Sequence, residues 1–247
     1  MNLTDRTVLV TGGTSGIGLG IVEAFHQSKS RVIVCGRDRV KLSLTEEQFP
    51  GITALFCDVG DARQRESLAA EVLNRFPELD TLVNNAGIQR YIDLKKGHDE
   101  LKSGEDEIAV NFVSIVELTA LFINHLIKKY STAIINVGSA LGFMPMINTP
   151  IYSATKAALH AYTLVLRQQL RDTSVKVVEI IPPMVDTGLN KDGRDSAQLK
   201  FRGISLSEYI PSVIKGLEND AEMIFYGEGD RIMAESRNES EKRLLTH

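Results

Sequence analysis

Thr7-Val8-Leu9-Val10-Thr11-Gly12-Gly13-Thr14-Ser15-Gly16-Ile17-Gly18 is a short apolar, β-branched run that ends in a glycine-rich turn and opens onto a segment of helical period. Such a run suits a strand buried on both faces. The glycines allow positive φ and a backbone approach too close for a Cβ. A turn between strand and helix exposes helix N–H groups, which is where the diphosphate of a dinucleotide is held. Gly12, Thr14, Ser15, Gly16, Ile17 and Gly18 are therefore candidate cofactor-binding residues, in a Gly-x-x-x-Gly-x-Gly spacing rather than the commoner Gly-x-Gly-x-x-Gly.

Working outward, similar runs recur at 31–35, 53–57, 79–83, 133–137, 175–180 and 222–226. Segments of helical period lie between them, for example 17–28, 61–76, 105–130 and 152–171. This alternation predicts an α/β protein: a three-layer, doubly wound fold on a seven-stranded parallel sheet with right-handed crossovers. One domain is expected over 1–234, followed by a charged tail, 235–247, that frays or packs on a partner subunit. With 43% apolar and 24% charged residues, the 247-residue chain has material for one large core. A net charge of −4 without a basic block argues against nucleic acid or an anionic membrane as main partner. Residues 1–6 lack the pattern of a secretion signal and no apolar run looks long enough to span a bilayer, so a soluble, cytoplasmic protein is expected. Cys35 and Cys57 end apolar runs as small buried hydrophobes do, and neither a disulfide nor a metal site is expected.

In such a sheet ligands bind beyond the carboxyl ends of the strands. Asp58-Val59 closes the third strand, where the carboxylate can accept from an adenine amino group. Asn84-Asn85-Ala86-Gly87 closes the fourth, and its small residues can lie under a ribose. Tyr152 and Lys156 stand four residues apart, one turn from each other on one helix face. A neighbouring ammonium favours the phenolate and brings a tyrosine, ordinarily near ~10, towards the working range of a proton-transfer catalyst.

Thr11 to Gly18, Asp58, Asn84 to Gly87, Asn111, Ser139, Tyr152 and Lys156 stand in the order and approximate spacing of one family. The chain resembles the short-chain dehydrogenase/reductase family over residues 5–230, and the resemblance implies a Rossmann fold. It implies catalytic roles for four residues. Ser139 would bond the substrate oxygen, and Tyr152 would exchange a proton with it while hydride passes to or from the nicotinamide. Lys156 would hold the nicotinamide ribose and lower the tyrosine pKa, and Asn111 would hold a water linking Lys156 to solvent. Asn85, Ala86, Gly87, Pro182, Val185 and Thr187 join the expected cofactor contacts, though Pro183 stands where the family usually has glycine, which fixes φ and removes an N–H.

Cys35-Gly36-Arg37-Asp38 ends the second strand without an acid, and Arg37 stands where NADP-preferring members often carry arginine. NADP(H) is expected over NAD(H), with Asp38 pulling the other way. Residues 188–204 fit a lid over the substrate. Leu141, Phe143, Met144, Met146, Ile147 and Met184, with Gln89 and Arg90, are expected around the pocket. Asn-Asn-Ala-Gly-Ile-Gln-Arg and Pro-Pro-Met-Val-Asp-Thr are similar to the DltE-like branch. Apolar residues on more than one side of two helices (Ile115, Leu118, Phe122, Leu126; Leu159, Tyr162, Leu166) suggest pairing into a homodimer or homotetramer.

The expected function is an NADP(H)-dependent oxidoreductase acting on a small-molecule carbonyl/alcohol pair. The alternative is an NADP(H)-binding sensor on the same fold, which has no need of proton-transfer residues. A serine hydrolase is disfavoured because Gly138-Ser139-Ala140-Leu141-Gly142 lacks the Gly-x-Ser-x-Gly form. His98, His125 and His160 lack metal-ligand spacing and read as surface or packing residues.

Overall fold

The computed structural model describes residues 1–102, 106–189 and 203–227. Seven strands form one parallel sheet: β1 (Thr7–Thr11), β2 (Arg31–Gly36), β3 (Thr53–Phe56), β4 (Thr81–Asn84), β5 (Thr132–Val137), β6 (Val175–Ile181) and β7 (Met223–Phe225). Their order is β3-β2-β1-β4-β5-β6-β7. Val8 pairs with Val32 on one side and Thr81 on the other, so the winding reverses between β1 and β4. That reversal opens the crevice in which such sheets take ligands.

Successive strand residues face opposite sides, and each side has its own core. Val8, Val10 and Val34 pack with Ile21, Val22 and Phe25 of α1 (Gly16–Gln27) and with Tyr209, Val213 and Leu217 of α7 (Leu206–Glu218). Leu9, Ile33, Leu82 and Ile134 pack with Leu68 and Val72 of α3 (Ala62–Arg75), and with Leu118, Phe122 and Leu126 of α5 (Ser114–Leu126). Each buried Leu, Ile or Phe contributes roughly 1.5–3 kcal/mol. Asp61 caps α3 by accepting from the N–H groups of Arg63 and Gln64, and α6 (Pro150–Gln169) starts with a proline, whose missing N–H has no helical partner at that position.

Three expectations change. The helix expected over 105–130 is interrupted by a π-helical turn, Ala109–Val113, before α5. Ala109–Leu126 does have the length and mean hydropathy, 1.5, of a membrane span. In the fold its Leu118, Phe122 and Leu126 face the sheet, so that hydropathy is the signature of a core helix. The same packing takes up the apolar residues expected at a subunit contact, since Ile115, Leu118, Phe122, Leu126, Leu159 and Leu166 are buried within the chain. Most of the proposed lid and the whole tail, 235–247, lie outside the described residues.

Candidate active site

A cleft of about 690 Å³ runs along the carboxyl ends of the strands, from the glycine turn to Met184. Its floor at the turn is backbone held by side chains from β1 and the end of β4. Thr11 Oγ1 accepts from the N–H groups of Asn85 (2.9 Å) and Ala86 (3.0 Å). Asn85 Nδ2 donates to the carbonyls of Thr11 (2.9 Å) and Gly12 (3.0 Å). A Cβ on Gly18 would lie 2.3 Å from Asn85 Nδ2, and one on Gly12 would lie 2.9 Å from Ala86 Cα. Those two glycines are required by the protein's own packing, whereas Gly16, at φ +56°, turns the chain into α1. Ser15 stands at the N-cap of α1 without a side-chain capping bond, and the first turn has no acid. Amides there, beside the Thr14 and Ser15 hydroxyls, suit a diphosphate. The residues present therefore fit a dinucleotide.

At the far end of that cradle Asp58 and Val59 line the cleft. Asp58 Oδ1 accepts from Gly60 N at 2.9 Å, and the Val59 carbonyl is held by the buried guanidinium of Arg65. Arg37, Asp38 and Lys41 form the rim. Asp38 is the N-cap of α2 (Arg39–Gln48), with Oδ1 accepting from Lys41 N at 3.1 Å and Oδ2 3.8 Å from Lys41 Nζ. Its charge is thus drawn to the helix end and to a lysine that the sequence reading passed over.

The opposite end gathers Ser139, Tyr152 and Lys156. Ser139 follows β5 and caps a 3-10 turn, Ala140–Gly142, with Oγ accepting from Leu141 N at 3.1 Å. Its side chain and the Tyr152 phenol line the same end of the cleft. Burial pushes that phenol up to about 12; the Ser139 side chain opposes the shift and the Glu107 charge adds to it. Lys156 Nζ lies 5.6 Å from the ring centroid of Tyr152 and donates to the Val137 carbonyl at 2.7 Å. Burial lowers this ammonium to about 8, against the pull of Glu179. The expected lowering of the tyrosine is not what the free site has, because desolvation outweighs an ammonium directed at a carbonyl.

Asn111 lies fully buried in the π-helical turn. Its Oδ1 accepts from Ile88 N and its Nδ2 donates to Ile88 O, each at 2.8 Å, and Nδ2 also reaches Thr155 Oγ1 at 3.3 Å. Its side chain thus clamps the segment after β4. Glu107, one turn earlier, holds the same segment through Arg90 N at 3.1 Å. Its other oxygen, Oε2, is buried without a hydrogen-bond partner among the described residues, and burial pushes the carboxyl above its usual range.

Pro182, Val185 and Thr187 line the cleft. The Pro182 carbonyl accepts from Ala140 N at 2.9 Å, tying this segment to the Ser139 turn. Val185 bridges to Ile204, and Thr187 sits over Gly16. Leu141, Met146, Met184, Gln89 and Arg90 reach the cleft. Phe143 instead turns inward onto His160 and Phe225, while Met144 and Ile147 face solvent. His160 is not a plain packing residue, since it is buried against Glu179. The signal was an acid inside the apolar run 177–181, which a buried strand tolerates only with a partner. Glu107 and Lys41 carried no comparable mark.

The short-chain dehydrogenase family model matches residues 6–198. The DltE oxidoreductase of Bacillus subtilis (strain 168), itself uncharacterized, is 49% identical over 224 residues, covering 91% of this chain and 89% of its own. Among solved structures, a short-chain dehydrogenase of Burkholderia cenocepacia J2315 in complex with NADP has a TM-score of 0.81 at 25% identity, covering all of both chains. One from Burkholderia phymatum in complex with NAD has a TM-score of 0.84 at 19% identity, over 100% of this chain and 97% of that one, and shows the shared fold. Sheet, cradle and matches agree: the chain is an oxidoreductase of the short-chain dehydrogenase/reductase family, in its DltE-like branch.

Proposed function

We propose that the protein is an NADP(H)-dependent oxidoreductase of a carbonyl/alcohol pair, with Tyr152 as general acid/base. The observation that carries this reading is the meeting of Ser139, Tyr152 and Lys156 at one end of a cleft whose other end is the glycine cradle. The cofactor, when bound, supplies or takes up the hydride. Ser139 orients the substrate oxygen, and Tyr152, protonated at neutral pH, donates its O–H proton to that oxygen in reduction. The Lys156 ammonium then stabilises the phenolate left behind. Asn111 and Glu107 keep the Ile88–Arg90 segment in place along the cleft.

Preference for NADP(H) is supported by Arg37 and Lys41 on the rim, and by an Asp38 carboxylate already engaged as a helix cap. Gly12, Thr14 to Gly18, Asp58, Val59 and Asn85 to Gly87 would hold the dinucleotide, with Pro182, Val185 and Thr187 at its nicotinamide end. Buried free Cys35 and Cys57 fit a cytoplasmic setting.

The test is fluorescence titration of NADPH and NADH on wild type and Arg37→Ala, followed by turnover over a panel of aldehydes, ketones and alcohols. Expected are tighter NADPH binding, its weakening by at least about tenfold in Arg37→Ala, and turnover lost in Tyr152→Phe. Preference for NADH would overturn the cofactor assignment, and NADPH binding without any turnover would turn the reading towards a sensor.

A further inference from the structure

Behind the cleft wall lies a buried acid–base pair that the reaction above does not use. His160 stands one turn past Lys156 on α6, as Lys156 stands one turn past Tyr152. Its Nδ1 is 2.7 Å from Glu179 Oε2 on β6. Since a carboxylate only accepts, the imidazole donates. The two residues are 4% and 1% exposed. A carboxylate so buried is costly unless it is bonded and faces positive charge.

The other carboxylate oxygen reaches across to β5. A Cβ on Gly138 would lie 2.7 Å from Glu179 Oε1, so Glu179 occupies the space that this glycine leaves directly before Ser139. Lys156 Nζ is bonded one residue earlier, to the Val137 carbonyl. Phe143, which follows the Ser139 turn, lies on the imidazole with ring centroids 4.4 Å apart. The pair therefore abuts the supports of both Ser139 and Lys156.

We propose that Glu179, tethered by His160, is a positioning residue: the buried counter-charge of Lys156 and the brace of the turn carrying Ser139. This rests on the reading of Lys156 and Ser139 as site residues. The groups facing the carboxylate are His160, Lys156 and, further along α6, Arg167, which also pairs with Glu222. On the far side of Lys156 stand the uncharged Tyr152 phenol and Glu107, whose charge acts on Tyr152. Of these acids, Glu179 is the one that offsets desolvation of the lysine.

Lys156 can be titrated directly in protein labelled with ¹³C at the lysine ε-carbon, its resonance identified by its absence in Lys156→Arg. Wild type should titrate near 8. Glu179→Gln, nearly isosteric, should move the midpoint down by ~1 pH unit or more. Glu179→Asp should recover part of that shift, and His160→Gln, which releases the carboxylate, should give a smaller shift in the same direction. An unchanged midpoint in a Glu179→Gln protein with wild-type circular dichroism and cooperative melting overturns the proposal. Should that variant not fold, His160→Gln decides by the same criterion. The titration needs neither cofactor nor substrate. A shifted midpoint in a protein without turnover therefore upholds the counter-charge while the oxidoreductase reading fails.

Discussion

Tyr152 and Lys156 carry opposite shifts with one cause, and their pH consequences differ. The phenol, raised to about 12, keeps its proton far above neutral, so the donor for reduction is not lost in the usable range. The ammonium, lowered to about 8, loses its charge as pH rises through that value. Reductive kcat/KM is therefore expected to fall with a midpoint near 8, and Lys156→Met to abolish that limb; a pH–rate profile on both proteins checks this. Tyr152→Phe should lower turnover by ~10²–10⁴-fold and leave NADPH affinity within a few-fold of wild type. Glu107 has a raised carboxyl, so its contribution to stability is present below the unfolded value and is lost as pH rises through the folded one. Glu107→Gln should thus flatten the decline of melting temperature between acid and neutral pH, as calorimetry would record. The Tyr152–Lys156 pair was legible as a four-residue spacing, but its shifts were not, because they depend on how deeply the fold buries both groups.

At the scale of elements, the strand–turn–helix units were legible because β-branched runs and helical period alternate without interruption. Boundaries moved where local bonds intervene: Leu79 N turns back to Phe76 O, so β4 starts at Thr81. The π-helical turn left no mark in the pattern, since one extra residue in a turn does not break an apolar period. Asp38 shows how an element recasts a residue's chemistry. The sequence reads it as an acid that opposes NADP(H), and the start of α2 turns it into a cap. Asp38→Ala should consequently have effects of opposite sign: about 1 kcal/mol of stability lost with the cap, and tighter NADPH binding as a negative charge leaves the rim. Denaturant melts and cofactor titration on the same preparation separate the two. Gly18→Ala should distort the cradle, because the new methyl would meet Asn85 Nδ2 and the Gly12 carbonyl, at 2.3 and 2.5 Å. A loss of ~1–3 kcal/mol of stability together with weakened NADPH binding is expected.

For the molecule as a whole, the doubly wound sheet was legible and the pairing of copies was not. The apolar residues that suggested a subunit contact are core, and the exposed remainder on α6 is Val165, beside the half-buried Tyr162. Light scattering at micromolar concentration is expected to show a dimer or tetramer, with Val165→Glu shifting the population to monomer. The reversal of winding between β1 and β4 also sets an order of assembly. Val8 meets Val32 early in the chain but must wait for Thr81 to cover its other edge. Until β4 is in place, a chain that holds β1, β2 and β3 has one strand edge unpaired in what will become the middle of the sheet, on a strand whose five residues are all buried in the finished fold. Such an edge is a template for association with any other extended chain.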